Sequence, residues 1–349
     1  MSEGYNRPAP TGDGLRLHLN ENTAGCSPKV LEALAALSAS DVARYPDYDV
    51  VYRETAAYLA VPEERLLLVN GLDEGILMAI LVALRGQTMD GRSAEFVVVT
   101  PAFDMYAITA RACGGAVVNA APRDDFEFPL ENVLTAITPR TRLVFVTSPN
   151  NPTGVRVTNR DIEAVARAVP AGALVFVDEC YHDFCGDTAV PLVDALANII
   201  VGRTFAKSQG LAALRAGALI ATPEALGPFK AVTPPYSLNV AAAVALRAAI
   251  ADGARLRWYV DQVVRSRELM YEFCARHGFE TWQSGANFVL ARVGPQSAAI
   301  TTALKARGIF IRDKTGDPGC DGCIRITTGV VADTERCLNA MEDFLCGAR

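Results

Sequence analysis

The stretch Arg203-Thr-Phe-Ala-Lys-Ser-Gln-Gly-Leu-Ala-Ala-Leu-Arg215 lies between two apolar runs, residues 198–202 and 216–221. Such runs are typical of buried strands, so the polar stretch is predicted to be the loop that joins them. Its single lysine, Lys207, lies between two arginines. A desolvated amine near cationic side chains loses its proton readily and can form a Schiff base, while Arg215 could bind an anion beside it. A solvated lysine is the simpler alternative, and the rest of the chain is needed to choose between them.

The composition is that of an ordinary globular protein. The chain has 349 residues, of which 50% are hydrophobic and 21% are charged, and this is enough for a large core and two domains. Its net charge of −6 argues against nucleic acid or an anionic membrane as the main partner. The first residues contain no apolar signal core, and no apolar run approaches the roughly 20 residues that span a bilayer. The expected location is therefore the cytoplasm.

The nine cysteines are spread from Cys26 to Cys346, which is unlike the disulfide framework of a small secreted domain. Cys320 and Cys323 have the C-x-x-C spacing found in many metal sites. No second cysteine pair and no nearby histidine completes a zinc site, so we expect no bound metal.

Strand-like and helix-like segments alternate through the first two thirds of the chain. Alternation of this kind predicts an α/β fold with a large, mostly parallel sheet covered by helices on both faces. The predicted strands are 65–69, 95–100, 116–119, 142–147 and 173–178, and the predicted helices include 51–59, 75–85, 103–112, 129–137 and 158–169.

The pattern changes after residue 222 to long helices and shorter strands, which indicates a smaller α+β domain. We expect an N-terminal arm and segment (1–30), a large domain (31–232) and a small C-terminal domain (233–349). The N-terminal segment is expected to pack with the small domain or with a second subunit. The predicted elements of this part are helices 237–251, 254–277 and 333–346 and strands 288–292, 309–312 and 323–328, and an extended segment is predicted at 17–22.

Ligands of parallel sheets bind beyond the carboxyl ends of the strands, so the residues that follow each predicted strand matter most. Those segments are 71–73, 101–106, 148–154 and 178–181. Gly71 stands between a strand and a helix, where exposed backbone N–H groups suit a phosphate; a plain strand-to-helix turn is the alternative.

Asp178 ends an apolar strand, and burying its carboxylate would be costly unless it met a positive partner such as a protonated pyridine nitrogen. Asn151, in a proline-rich turn, and Tyr181 could both donate a hydrogen bond to a phenolate oxygen. Together these residues suit opposite sides of a 3-hydroxypyridine ring.

With these motifs in this order, the sequence resembles the fold-type I pyridoxal-phosphate enzymes, and within them the histidinol-phosphate aminotransferase family. The resemblance covers nearly the whole chain. It rests on Leu19–Asn22, Tyr45–Asp47, Gly71–Glu74, Pro101–Tyr106, Ser148–Gly154, Asp178–Tyr181, Arg203–Arg215, Asn287–Leu290 and Ile324–Gly329.

The resemblance implies a role for each residue around the ring of pyridoxal 5'-phosphate. Lys207 would hold the cofactor covalently and would later move a proton between the substrate and the cofactor. Asp178 would keep the pyridine nitrogen protonated, and Asn151 and Tyr181 would bind the phenolate oxygen. Phe103 would stack on the ring, with simple core packing as the alternative.

The resemblance also implies how the two anionic groups are bound. The cofactor phosphate would contact the backbone N–H groups of Leu72 and Asp73, together with Thr204 and Arg215. Tyr45 would reach that phosphate from a second subunit, which implies a homodimer with composite active sites.

On the substrate side, the resemblance implies that Arg325 anchors the group carried on the substrate's α-carbon and that Arg312 is a second anion contact. A structural ion pair is the alternative for either arginine. Asn22 and Asn287 are expected to line the same side.

Three departures from the family pattern border the site. Ala206 replaces a serine that usually donates to the phosphate, so one hydrogen bond is missing unless Ser208 or a water compensates. Phe103 replaces a tyrosine, and residues 23–26 replace a proline-rich segment. The second and third changes bear on the substrate more than on the chemistry.

The first functional hypothesis is transfer of an amino group between glutamate/2-oxoglutarate and histidinol phosphate, by a ping-pong mechanism. The same residues would serve an aromatic amino acid aminotransferase. A decarboxylase or other lyase on the same scaffold is a further alternative. A third class of function, after the aminotransferases and the lyases, is a cofactor-binding protein without catalytic activity. The full set of site residues around Lys207 argues against this third class.

Overall fold

The computed structural model describes residues 12–85 and 93–347, so residues 1–11 of the predicted N-terminal arm and segment (1–30) lie outside the described ranges. Thirteen strands and twelve α-helices occur in the described ranges. The strands are β1 Leu15–Arg16, β2 Leu66–Val69, β3 Glu95–Val99, β4 Ala116–Ala120, β5 Thr141–Thr147, β6 Leu174–Asp178, β7 Ile199–Thr204, β8 Gly217–Ile220, β9 Glu280–Thr281, β10 Phe288–Arg292, β11 Ile309–Phe310, β12 Arg312–Asp313 and β13 Cys323–Thr327. The helices are α1 Pro28–Ala35, α2 Ala39–Ala43, α3 Asp49–Leu59, α4 Leu72–Leu84, α5 Met105–Ala112, α6 Leu130–Ala136, α7 Asn159–Ala168, α8 Pro223–Val232, α9 Val240–Ile250, α10 Gly253–Arg276, α11 Ser297–Ala306 and α12 Val331–Gly347.

The large sheet has seven strands in the order β2-β8-β7-β6-β5-β3-β4. Strands β4, β3, β5, β6 and β7 are parallel, whereas β8 runs antiparallel to both of its neighbours. The mostly parallel sheet predicted from the sequence is therefore confirmed. The central strands are apolar along their length because both faces of the sheet are covered.

Alternate residues of the central strands point into two separate apolar cores. Val144 and Val175 belong to the core on one face, and Phe145 and Phe176 belong to the core on the other. This alternation fixes the register of the strands, since a slip of one residue would exchange the two faces.

Capping residues set the start of several helices. The Ser27 side chain accepts a hydrogen bond from the backbone N–H of Lys29, and Pro28 occupies the first turn of α1. Helices α2, α8 and α11 are additions to the predicted set. Helix α8 contains Pro223, Gly227 and Pro228, which are signals of a helix boundary or a loop rather than of a helix interior.

A second sheet has four antiparallel strands in the order β12-β13-β10-β9, and it packs with α10, α11 and α12 around a separate apolar core. The predicted strand 309–312 is wrong in one respect, because it divides into β11 and β12. Strand β11 pairs in parallel with β1, and β12 pairs with β13.

The predicted extended segment 17–22 is also displaced, since the regular strand is Leu15–Arg16. Backbone hydrogen bonds from this segment to the neighbouring strands nevertheless extend to Leu17. Its N–H donates to the Phe310 carbonyl oxygen (2.8 Å) and its carbonyl oxygen accepts from the Thr327 N–H (2.9 Å).

The division at residues 232–233 stays a prediction, and the packing of α9 favours a later boundary. Ala242 and Leu246 of α9 belong to the apolar core of the large sheet. After α9, the residues of the second core begin in α10 with Met270 and Phe273. The change of core along this part of the chain therefore falls between α9 and Met270. None of the helices in the described ranges has the length and apolar character of a membrane span.

Candidate active site

A cavity opens where the carboxyl ends of β5, β6 and β7 face the β12/β13 pair of the second sheet. Eleven of the predicted site residues line it. They are Leu72, Asp73, Phe103, Asn151, Asp178, Tyr181, Thr204, Lys207, Arg215, Arg312 and Arg325.

Lys207 lies in the loop between β7 and β8, as predicted. The Lys207 amine donates to the carbonyl oxygen of Leu19 at 3.1 Å and lies 6.0 Å from the centre of the Tyr181 ring. Burial lowers the pKa of the Lys207 amine, and the Arg325 guanidinium lowers it further. A lower pKa increases the neutral, nucleophilic fraction of the amine, which suits covalent attachment to a carbonyl compound.

The Asp178 carboxylate lies at the end of β6, with the residue only 4% exposed. It accepts hydrogen bonds from the Tyr106 hydroxyl at 2.6 Å and from the Cys180 N–H at 3.0 Å. Burial raises the pKa of the Asp178 carboxyl. The described residues show no ion pair to it, so the carboxylate fits a cationic ligand group such as a protonated ring nitrogen.

Two side chains lie where they could reach the other side of such a ring. The Tyr181 hydroxyl accepts a hydrogen bond from the Asn20 amide at 2.9 Å, and the ring of Tyr181 is buried. The amide oxygen of Asn151 accepts from Arg325 at 2.5 Å, which leaves the Asn151 NH₂ group as a donor. Phe103 lines the cavity and meets the Tyr106 ring edge-on, with 5.8 Å between the ring centres.

An anion site is formed where β2 turns into α4. Gly71 has φ +77°, which residues with a side chain rarely adopt, and a Cβ atom added to it would lie 2.5 Å from the Arg215 guanidinium and displace it. The backbone N–H groups of Leu72 and Asp73 are in the first turn of α4, where they have no partner within the helix. A phosphate fits this combination of helix N-terminus and arginine.

The side chains around the anion site differ from the family pattern as the sequence indicates. Thr204 and Ala206 line the cavity, and Ala206 has no hydroxyl to offer. Ser208, one of the two substitutes considered from the sequence beside a water, has a hydroxyl that donates to the Asp183 carboxylate. Arg215 forms an ion pair with Asp73, with 2.6 Å between Nη2 and Oδ2.

Arg312 and Arg325 are direct cross-strand partners on β12 and β13. Directly opposite residues of antiparallel strands point to the same face, and like charges in that arrangement destabilise the sheet. Both arginines line the cavity. This part of the cavity therefore suits an anionic group with more than one oxygen atom.

Three predicted residues do not line this cavity. The Asn22 amide donates to the Ser208 carbonyl oxygen at 2.7 Å, so it contacts the lysine loop from outside. Asn287 is fully buried and donates to the Asn20 carbonyl oxygen at 3.2 Å. Tyr45 is 77% exposed and stacks on Tyr236, with 4.1 Å between the ring centres.

Several lining residues have no role in the sequence prediction, and His18, Asn20, Tyr106 and Lys314 are among them. Tyr106 and Asn20 lie inside the motifs that carry the resemblance, so the sequence does contain a signal that both belong to the site. Their partners, Asp178 and Tyr181, are 72 and 161 residues away along the chain. Only the folded structure identifies such pairs.

The sequence model of aminotransferase class I and II matches residues 12–344 of this chain. The histidinol-phosphate aminotransferase of Methanococcoides burtonii is 34% identical to it, over 95% of this chain and 90% of that protein. These similarities confirm the family resemblance inferred from the motifs.

Two solved structures are similar over most of their length. One is the histidinol-phosphate aminotransferase of Sinorhizobium meliloti in complex with pyridoxal-5'-phosphate, with a TM-score of 0.84, 25% identity, and coverage of 96% of this chain and 92% of that one. The other is the histidinol-phosphate aminotransferase of Clostridium acetobutylicum, with a TM-score of 0.85, 21% identity, and coverage of 95% and 98%. They confirm the predicted fold class.

Proposed function

The chain belongs to the class I and II aminotransferases, and we propose that its amino donor is histidinol phosphate and its acceptor 2-oxoglutarate. It is an aminotransferase, and its cofactor is pyridoxal 5'-phosphate. The bound cofactor supplies an electron sink that stabilises the negative charge left on the substrate carbon when a proton is removed. The observation that carries the proposed substrate is the pair Arg312 and Arg325 facing one cavity.

In the proposed mechanism Lys207 is the proton carrier. Its amine, with a pKa lowered by burial, would accept the proton from the substrate's α-carbon and hold it at Nζ for return within the same cavity. The Tyr181 ring and the Leu19 carbonyl oxygen hold the amine at this side of the cavity. The ping-pong cycle uses the same amine in reverse when the oxo acid is converted.

Asp178 is proposed to bind the cofactor's ring nitrogen and keep it protonated. The Tyr106 and Cys180 donors fix the orientation of the carboxylate. Asn151 and Tyr181 bind the phenolate oxygen, and Phe103 packs on the ring. Leu72, Asp73, Thr204 and Arg215 bind the cofactor phosphate.

The two arginines of β12 and β13 are proposed to bind the phosphate arm of the substrate. A phosphate monoester presents three terminal oxygens and close to two negative charges, which two guanidinium groups can bind through several charge-assisted hydrogen bonds. A carboxylate has one charge and two oxygens, so it needs mainly one arginine. Asn22 and Asn287 are proposed to act indirectly, through the lysine loop and through Asn20.

Replacing Arg312 with alanine is expected to lower kcat/KM for histidinol phosphate by about 10–100-fold, because it removes a hydrogen bond to a charged group worth about 1.5–3 kcal/mol. The loss for an aromatic amino acid should be smaller, because its carboxylate still has Arg325. Steady-state kinetics with both donors measures the two losses.

Arg167→Ala is the matched control for this test. Arg167 is an exposed arginine of α7 that is paired with Glu163 at 2.6 Å and does not line the cavity. It should leave both donors unaffected. Equal losses on both donors in Arg312→Ala, or no activity of the unmodified enzyme on histidinol phosphate, would favour the aromatic aminotransferase.

The alternatives on this scaffold are separated by a substrate panel. An aromatic aminotransferase would convert the cofactor to its aminated form with phenylalanine or tyrosine better than with histidinol phosphate. A decarboxylase would release carbon dioxide and give no stable aminated cofactor with glutamate. Absorbance of the cofactor after each addition distinguishes these results.

We also propose that the enzyme is a homodimer in which Tyr45 completes the phosphate site of the partner subunit. Tyr45 is 77% exposed and lies outside the cavity of its own chain, and its ring is held by stacking on Tyr236. These features suit a residue that acts in a second chain. The cytoplasmic location stays a prediction from the sequence.

The dimer proposal predicts complementation between two defective subunits. A hybrid of Lys207→Ala and Tyr45→Ala subunits should contain one intact site of two and recover about half of the normal activity, because each chain supplies what the other lacks. Subunits with different affinity tags allow the hybrid to be purified and assayed. A hybrid of Lys207→Ala and Asp178→Asn, whose changes lie in one cavity, should stay inactive. A monomer with full activity would contradict the proposal.

A further inference from the structure

His18 lies at the point where the N-terminal segment enters the cavity, directly after β1 and Leu17. It is only 5% exposed, and it lines the cavity together with Arg312 and Arg325. Its backbone is fixed, since its carbonyl oxygen accepts a hydrogen bond from Arg325 Nη2 at 2.7 Å. The imidazole ring packs at a tilt against Phe310, with 5.9 Å between the ring centres. The side chain is therefore held beside the two arginines.

The Nδ1 atom of His18 is buried and has no hydrogen-bond partner among residues 12–85 and 93–347. Buried polar atoms in native proteins nearly always have a partner, so such an atom calls for an explanation. Because Nδ1 is buried beside the cavity, a ligand there can become its partner once the imidazole ring rotates toward it. The position of His18 therefore points to a ligand group that hydrogen-bonds to imidazole.

The surroundings of His18 determine what its ring can offer. Burial, followed by the positive charges of Arg16, Arg312 and Arg325, lowers the pKa of the imidazole to about 4. Lys314 adds a further cation to the cavity lining, and Glu21 is engaged by Arg16. At neutral pH the ring is uncharged, with one N–H donor and one acceptor. It can add a directed hydrogen bond without adding to the repulsion between the arginines.

We propose that His18 is a specificity-determining residue that donates a third hydrogen bond to the phosphate arm of the substrate, beside Arg312 and Arg325. This inference rests on the proposed function, since it names a further contact at the same anion site. Two arginines leave at least one oxygen of a phosphate monoester open to a further donor. A carboxylate, which has only two oxygens, is saturated by the arginines and gains little from His18.

The test measures binding of two matched probes to the holoenzyme, in which the cofactor already fills its own phosphate site. The probes are phenyl phosphate and benzoate, which differ chiefly in the anionic group, and isothermal titration calorimetry gives their affinities. His18→Ala removes the donor. His18→Asn places an amide nitrogen close to the position of Nδ1 and is the conservative variant.

His18→Ala should weaken phenyl phosphate by about 10–100-fold and benzoate by less than about 3-fold, as expected for a lost hydrogen bond to a charged group. His18→Asn should restore most of the phenyl phosphate affinity. Equal weakening of both probes would indicate a packing role and overturn the inference, as would full affinity of His18→Ala for phenyl phosphate or failure of the asparagine variant to restore it.

Turnover of histidinol phosphate separates this inference from the proposed function. An enzyme that uses histidinol phosphate but whose KM is unchanged in His18→Ala retains the proposed function and overturns the role of His18. An enzyme that binds phenyl phosphate through His18 but does not transaminate histidinol phosphate supports the phosphate contact and contradicts the proposed donor.

Discussion

Replacing Lys207 with alanine is expected to lower kcat by about 10⁴-fold, the upper end of the range for a general acid–base group, and to leave a folded protein. The Lys207 amine faces the cavity and donates a hydrogen bond to the Leu19 carbonyl oxygen. The substitution therefore removes one hydrogen bond from the fold. Without it the cofactor has no covalent link and the substrate proton has no carrier. Borohydride treatment followed by peptide mass spectrometry should find cofactor fixed to Lys207 in the unmodified enzyme and to no residue of the variant.

Lys314→Ala is the matched control, because Lys314 is a second lysine that lines the cavity. Its amine is paired with the Asp317 carboxylate, and its alanine variant should keep the covalent cofactor link. Cofactor fixed to another lysine in Lys207→Ala, with turnover close to normal, would refute the assignment.

Replacing Asp178 with asparagine is expected to lower kcat by about 10²–10³-fold, the effect of losing one preorganised electrostatic contact to the reacting system. The amide has nearly the shape of the carboxylate but carries no charge, so it cannot hold a proton on the ring nitrogen. In the cofactor-free enzyme the free energy of unfolding should change little or rise, because the fold loses a buried carboxylate that has no cationic partner among the described residues. Kinetics of the holoenzyme and urea unfolding of the cofactor-free enzyme check the two expectations.

Tyr106→Phe is the control for the orientation of the carboxylate. It removes the 2.6 Å hydrogen bond to Asp178 but retains the charge and the ring that packs on Phe145. Its effect on kcat should be smaller than that of Asp178→Asn. If the two variants lose activity equally, or if Asp178→Asn is fully active, the charge of Asp178 is not what the reaction requires.

The strand ends around the cavity could be predicted from the sequence because local signals mark them. Asp178 directly follows an apolar run, and Gly71 separates a strand from a helix, so both were assigned to the edge where ligands bind. The antiparallel direction of β8 has no comparable signal. The direction of β8 depends on the lysine loop, which reverses the chain after β7 without a crossover helix. That path is determined by the tertiary contacts of the loop.

The side-chain partners were harder to predict than the positions. Asn22 and Asn287 are in matched motifs, yet their amides bind backbone carbonyl oxygens instead of lining the cavity. Periodicity gives the face of an element that is buried, but it does not say which polar atom a side chain finds there. His18 shows the same limit, because its role depends on arginines that lie about 300 residues away along the chain.

The backbone hydrogen bond between Leu17 and Thr327 also constrains when the active site can form during protein synthesis. A ribosome adds about 5–20 residues per second, so about 15–60 seconds separate the synthesis of these two partners. During that interval residues 15–20 have left the ribosome, but β11 and β13, to which they bind, do not yet exist. The segment that contains His18 and the Leu19 carbonyl oxygen therefore remains without its strand partners during this time. The active site can form only after β13, the last strand, has been translated.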